Sequence, residues 1–408
     1  MGESNRPACG AVRGMVFAGI ALLVLSGVAG VLLTGVGREV GLFWAFGLAF
    51  GFTLQRSRFC FASAFRDLFL FGSGRIMKGI LAGMAVSTVG FAVLMSRMVP
   101  NPLPGMIAPE AHVVPVGIHL ILGGLLFGIG MVQAGGCVSG SLYRMGEGYV
   151  ASWVAFVGIL GGLGLALHSW NWWWRISIER APLVWFPSFA GYGGAVALTL
   201  VLLLSAYLLV LWWEARKGLA LPEAPPAARG QTFVHRLQDL WERVTRRGWP
   251  VVAGGVTLGV LNVFLYIAHM PWGITGEISR WAAGISRLAG FPPPTLLGVD
   301  QLGGCTLTLG GNRLITHSLT LDVGMVVGSL AAALLAREFR IRVPPNPRRY
   351  VQAFLGGILM GYGAGIAMGC TIGAFFSAIP SLGLNGWVFG LSLLAGAYGG
   401  VQLLKRVP

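Results

Sequence analysis

Apolar residues run through this chain in long blocks, not in the alternation of a half-buried sheet. Ten blocks approach the roughly 20 residues that a helix needs to cross a bilayer: Val16–Val36, Gly41–Gln55, Ile76–Val93, Val116–Gln133, Val150–Leu167, Phe189–Trp213, Val251–Ile267, Leu321–Ala336, Val351–Met368 and Trp387–Leu404. Five more blocks are apolar but too short or too broken to cross: Phe59–Phe71, Val138–Tyr143, Ile274–Leu288, Cys305–Leu314 and Thr371–Ile379. These read as half-helices or re-entrant loops, which membranes tolerate only when protein covers them or they line a cavity. The pattern predicts an all-α polytopic membrane protein with ten spans.

Composition agrees. The chain is 55% hydrophobic and only 11% charged, with a mean hydropathy of +0.75, against roughly 25% charged residues in a soluble domain. The net charge of +15 does not point to nucleic acid, because Lys and Arg gather at the ends of apolar blocks. With the N-terminus placed in the cytoplasm, 22 of the 29 basic residues fall on the cytoplasmic side, which predicts that both termini are cytoplasmic. The Trp170–Trp174 run then belongs to an outer aromatic belt. The first block is too long for a signal-peptide core and reads as a retained helix. One polar stretch, Glu214–Arg247, holds three prolines and an amphipathic piece at Phe233–Val244. It divides the chain into a first membrane half (residues 1–213), a cytoplasmic linker (214–250) and a second membrane half (251–408).

The halves share a repeat. Gly123–Gly140 and Gly356–Gly373 superpose without a gap, and six glycines and one cysteine coincide, Gly136-Cys137 on Gly369-Cys370. Glycine is common here, at 64 of 408 residues, but six at fixed offsets around a rare cysteine are not an accident of composition. A weaker match sets Cys60 on Cys305, Gly79 on Gly324 and Gly83 on Gly328. In the predicted topology the two halves are inverted, which points to a transport fold with its site at the repeat interface.

The chemistry is carried by few residues. A Gly-Cys turn followed by a short helix brings backbone close to a ligand and aims free N–H groups at it, which suits a small anion. A thiol is a soft, weak donor, better matched to a sulfur-bearing anion than to sulfate. The candidate residues are Cys60, Cys137, Cys370 and Cys305, with Gly136 and Gly369 at the turns and Thr371 opening the second half-helix. Each cysteine could equally be a small buried hydrophobe in glycine-packed helices. Arg56 and Arg58 could hold or release the anion, or merely mark the cytoplasmic end. Gln133 and Gln301, four residues before a cysteine, could line the path or satisfy helix backbone. Cys9, before the first span, carries no role. No Cys-x-x-Cys or His cluster suggests a metal, no cofactor motif is present, and the scattered histidines receive no role. Glu110, Glu147 and Asp322 all fall near predicted span ends, so no carboxylate is placed for proton coupling.

Gln55-Arg-Ser-Arg-Phe-Cys60-Phe-Ala62, Gly135-Gly-Cys-Val-Ser-Gly140 and Met368-Gly-Cys-Thr-Ile-Gly373, with Pro271–Thr275 and Leu321–Gly324, resemble the YeeE/YedE family of bacterial inner-membrane sulfur transporters. The resemblance covers nearly the whole chain outside the linker. It implies an hourglass-like permease for thiosulfate or a related anion, passed between central thiols at Cys60, Cys137 and Cys370 by transient hydrogen bonds, and no enzymatic activity. It also implies a cytoplasmic TusA-type sulfur-carrier partner. A membrane thiol-redox protein and a selenium-compound or small-solute channel are the alternatives.

Overall fold

The computed structural model describes residues 9–103, 105–217, 244–245, 248–303, 307–309 and 315–406, with side chains from Gly14 onward. Among the described residues the regular structure is helical, with two isolated bridges, Tyr149–Arg342 and Trp185–Gly383. The first half holds α1 (Cys9–Val36), α2 (Arg38–Ser57), α3 (Phe61–Leu70), α4 (Arg75–Met98), α5 (Ile118–Ala134), α6 (Val138–Gly146), α7 (Val150–Trp173) and α8 (Pro187–Arg216). The second holds α9 (Val251–Ala268), α10 (Thr275–Leu288), α11 (His317–Leu335), α12 (Arg348–Ile366), a π-helical segment Thr371–Ser377 and α13 (Leu384–Arg406).

Four of the five short blocks are the half-helices α3, α6, α10 and Thr371–Ser377; Cys305, and with it most of the fifth, lies outside the described residues, as does Phe233–Arg243 of the amphipathic piece. All ten long blocks are helices. Among the described residues eight helices are long and apolar enough to cross a membrane, or nine if α12 and Thr371–Ser377, bent by 50°, are one broken span. The difference from ten lies in α2, whose 20 residues include Arg38, Glu39 and Arg56. α1 and α8 lie at the periphery, with 11% and 22% of their apolar windows buried.

Glycine sets the packing. A side chain on Gly123 would strike the Gly363 carbonyl, and one on Gly363 would strike the Gly123 carbonyl; Gly130 and Gly356 are related in the same way. These contacts cross α5 over α12. Gly79 and Gly83 of α4 meet Gly255 and Gly259 of α9, and Gly47 of α2 meets Gly324 of α11. Backbone therefore touches backbone where the two halves meet, as in small-residue packing of membrane helices. One large apolar core draws from both halves, so the halves interlock.

Three local readings change. Trp170 and Trp173 are buried, donating to the Leu297 carbonyl and the Tyr362 hydroxyl, and only Trp172 of that run is exposed. The helical period of α7 turns the others inward. Glu214 belongs to the last turn of α8, not to a free linker: it accepts from the Gly74 backbone and from Lys78, each at 2.8 Å. α11 starts at His317, four residues before the predicted span, so Asp322 sits in its second turn, 1% exposed, not at a span end.

Candidate functional site

Cys60, Cys137 and Cys370 each occupy the position just before a half-helix: α3, α6 and Thr371–Ser377. This is the N-cap, where Ser, Thr, Asp or Asn normally accepts a bond from an orphan backbone N–H. Sulfur takes that part at Cys137, whose Sγ accepts from Gly140 N at 3.4 Å, while the Cys60 and Cys370 side chains make no such capping bond. A thiol is a weaker acceptor than a carboxylate, so these helix starts keep most of their positive character.

The turns that deliver the cysteines follow from local chemistry. α5 ends at Gly135, in the left-handed region at φ 77°, and the chain then enters Gly136-Cys137. In the second copy the equivalent position is Met368 at φ 56°, a conformation that disfavours a side chain. Complete burial of Met368 in the core offsets that strain. Gly369 is required for space, since a Cβ would lie 2.9 Å from Ala374 N and 3.2 Å from His112 Nε2. Gly136 is looser, with its nearest neighbour at 3.4 Å.

The thiols form a line. Cys60 and Cys137 are neighbours, with both sulfurs within 3.4 Å of a Cβ built on Gly140. Cys137 also shares a hydrogen with Ser139 Oγ at 3.2 Å. The Thr371 hydroxyl stands beside Cys137; it is buried and makes no well-formed hydrogen bond. Cys370, the next residue back, lies beside Thr275. All three cysteines are free thiols and 0–2% exposed.

Thr275 is held by a network that the sequence did not disclose. Trp272 stacks on Phe50, centroids 3.9 Å apart, and its backbone N–H donates to Asn262 at 2.7 Å. Ser377 then joins Asn262 to the Trp272 carbonyl. The Pro271–Thr275 motif, which adds to the family resemblance of the cysteine motifs, thus locks α9 and the Thr371–Ser377 segment together. Asn262 had only its lone polar character within an apolar block as a signal.

At one end of the line is a cavity of about 500 Å³, lined by Arg58, Tyr143, Arg144, Glu147, Glu338 and Arg342 among others. Arg58 is 75% exposed and pairs with Glu338 at 2.9 Å. Its neighbour Arg56 is 1% exposed, reaches Glu338 at 3.7 Å, and keeps Nε and Nη2 without a partner. Of the two arginines it is Arg56 that has donors to spare. Arg144 donates to the Gly135 carbonyl, fixing the turn before Cys137. Burial pushes the Glu147 carboxyl up, against Arg144 and Arg342, which pull it down. Gln133 points away from the thiols and donates to the Gly400 carbonyl at 3.3 Å, the backbone-satisfying role. Gln301 is exposed in a 3-10 turn.

At the other end the connection between α4 and α5 covers the Cys370 turn. His112 is buried over Gly369, its N–H bound to Ser381 and its carbonyl to Asn385. Burial pulls the His112 imidazole down to about 4. One group among the described residues could hold a metal ion: Glu39, His269 and His317, whose ligand atoms lie within 4.8 Å of one another. Glu39 and His269 are exposed, and the sequence, with 39, 269 and 317 far apart, gave no sign of their meeting.

The sequence profile of the family described as "Sulphur transport" matches residues 56–399. A protein of Spirochaeta thermophila named thiosulfate transporter TsuA is 32% identical over 375 residues, which cover 88% of this chain and 97% of that protein. The protein of the same name in Escherichia coli is 27% identical over 363 residues, covering 86% and 91%. A probable transporter, YedE of Escherichia coli, is 33% identical over 209 residues, about half of each chain.

Proposed function

Because the chain belongs to the sulphur-transport family, we propose that it is a permease which takes up thiosulfate, or a closely related sulfur anion, along the line Cys370, Cys137, Cys60. The observation that carries this reading is the thiol line itself: three buried free cysteines at three half-helix starts, Cys60 and Cys137 packed together against Gly140, and Cys370 followed by Thr371, which stands beside Cys137.

The anion trades water for weak S–H donors and backbone N–H groups. Each contact is poor alone, so the ion binds well enough to enter and loosely enough to leave. Sulfate, a harder anion, loses more hydration than thiols restore. The reciprocal glycine crossings Gly123–Gly363 and Gly130–Gly356 are those expected of two halves related by a two-fold axis, and they support the inverted-repeat, hourglass-like reading. Arg58, Arg144, Glu147, Glu338 and Arg342 cluster at one end, while Glu39, His269 and His317 gather at the other. The arginines of the first cluster support the orientation that puts both termini in the cytoplasm, and uptake by such a permease would take place across a bacterial inner membrane. The anion leaves past Cys60 into the basic cavity lined by Arg58, Arg144 and Arg342, where a TusA-type carrier would receive it.

Uptake of labelled thiosulfate, in cells lacking other uptake systems, tests the proposal. Cys137→Ala combined with Cys370→Ala is expected to lower uptake at least tenfold at equal protein level in the membrane. Unchanged uptake overturns the thiol path. Competition by sulfate and by selenium oxyanions separates a sulfur-selective path from a general solute channel.

A further inference from the structure

A carboxyl group beside the proposed path has no partner among the described residues. Asp322, in the second turn of α11, is 1% exposed, and neither Oδ1 nor Oδ2 accepts a hydrogen bond from any of them. It lies near enough to Cys370 to act on it electrostatically, and near enough to Glu277 to be acted on. Glu277 is a different case. It accepts from Arg280, Trp281 and Thr316, so its charge is matched.

Among the described residues no basic side chain forms an ion pair with Asp322. α2 presents Phe43, Gly47 and Phe50 beside this turn, and its first residues, Arg38 and Glu39, line a cavity with Thr316 and His317 at the start of α11. α1 has no titratable residue among its described side chains. α6 meets α11 through Gly146 and the Tyr143 carbonyl at Val326, Ser329 and Leu330, a further turn or more along, and Tyr143 and Arg144 belong there. His317 opens α11 and faces Phe43 and His269.

An ionised carboxylate here is buried, unpaired and next to the seat of a divalent anion, and every one of these circumstances opposes the charge. We propose that Asp322 is a proton-binding site coupled to anion binding at Cys370, so that the permease carries protons together with its anion. The inference rests on the transport reading above. The balance is simple: a proton joins the carboxylate when the anion arrives and leaves when the anion has passed. By linkage each ligand raises the affinity for the other by the same factor. The unpaired side chain is then a device for coupling, and not a flaw in packing.

The test uses the full chain in proteoliposomes loaded with a pH-sensitive dye. Wild-type protein is expected to acidify the lumen as thiosulfate enters, and uptake is expected to rise several-fold between external pH 8 and pH 5.5, a range above the titration of His112. For Asp322→Asn the pH dependence flattens to less than twofold and an inward proton gradient no longer concentrates thiosulfate; Asp322→Glu restores both. A merely structural role would lower the rate equally at all pH. Thiosulfate entry without lumen acidification in the wild type, or an unaltered pH dependence in Asp322→Asn, overturns coupling while leaving the permease intact. Absence of thiosulfate entry in the wild type overturns the permease itself.

Discussion

Placing a methyl group on Gly363 tests how the fold holds its thiols. In α12 a Cβ at this position would lie 2.6 Å from the Gly123 carbonyl oxygen and 2.8 Å from Phe127 N, both backbone atoms of α5. Ordinary contact begins near 3.4 Å, so α5 and α12 must part by about 0.8 Å at the crossing. Neither side can yield by turning a side chain. Overpacking of this kind costs about 1–3 kcal/mol, against which replacing a helical glycine by alanine returns up to about 1 kcal/mol. Gly161 in α7 supplies the control, since a Cβ there meets nothing within 4 Å. In detergent, Gly363→Ala is expected to melt several degrees below wild type, and Gly161→Ala at or above it. Uptake of thiosulfate should follow the same order, because α5 and α12 end in the turns that carry Cys137 and Cys370. Equal melting temperature and equal uptake for the two variants would refute the view that backbone contact between the halves sets the site.

Two further outcomes follow from the same geometry. Because the Cys60 and Cys137 sulfurs are free and pack together against Gly140, a membrane-permeant oxidant should join them and block uptake, dithiothreitol should reverse both effects, and Cys60→Ser should abolish the block; peptide mapping that finds the two still reduced would contradict the contact. His112 is neutral in the fold, with its titration pulled down by burial from 6.5 to about 4. The stability it protects is present above pH 6.5 and is lost as pH falls toward 4, by up to roughly 3 kcal/mol. Melting temperature should therefore fall more steeply between pH 6.5 and 4 for wild type than for His112→Gln, and parallel curves would show that this seal does not titrate.

The sequence made the helices legible because a bilayer demands one pattern, long apolar blocks bounded by charge. It made the half-helices legible for a related reason: Val138–Gly146 and Thr371–Ser377 are too short to cross and begin after a Gly-Cys turn. What it hid depends on contacts between distant blocks. Asp322 looked like a boundary residue because hydropathy sees only neighbours in the chain, and the helix start at His317 is set by the Thr316 side chain capping Leu319 N, not by apolarity. Gln133 and Arg58 looked like path residues by spacing from a cysteine, yet one side chain is taken by a carbonyl of α13 and the other by Glu338. The duplicated Gly-Cys turn was visible, but its cause was not. Gly123, Gly130, Gly356 and Gly363 are glycines because the two copies cross each other, each using the other's backbone as its packing surface. The repeat is therefore more than two similar parts of one path. Each copy is the surface against which the other is shaped, so a change in either crossing displaces both cysteines together, and neither half can be altered at these positions without the other.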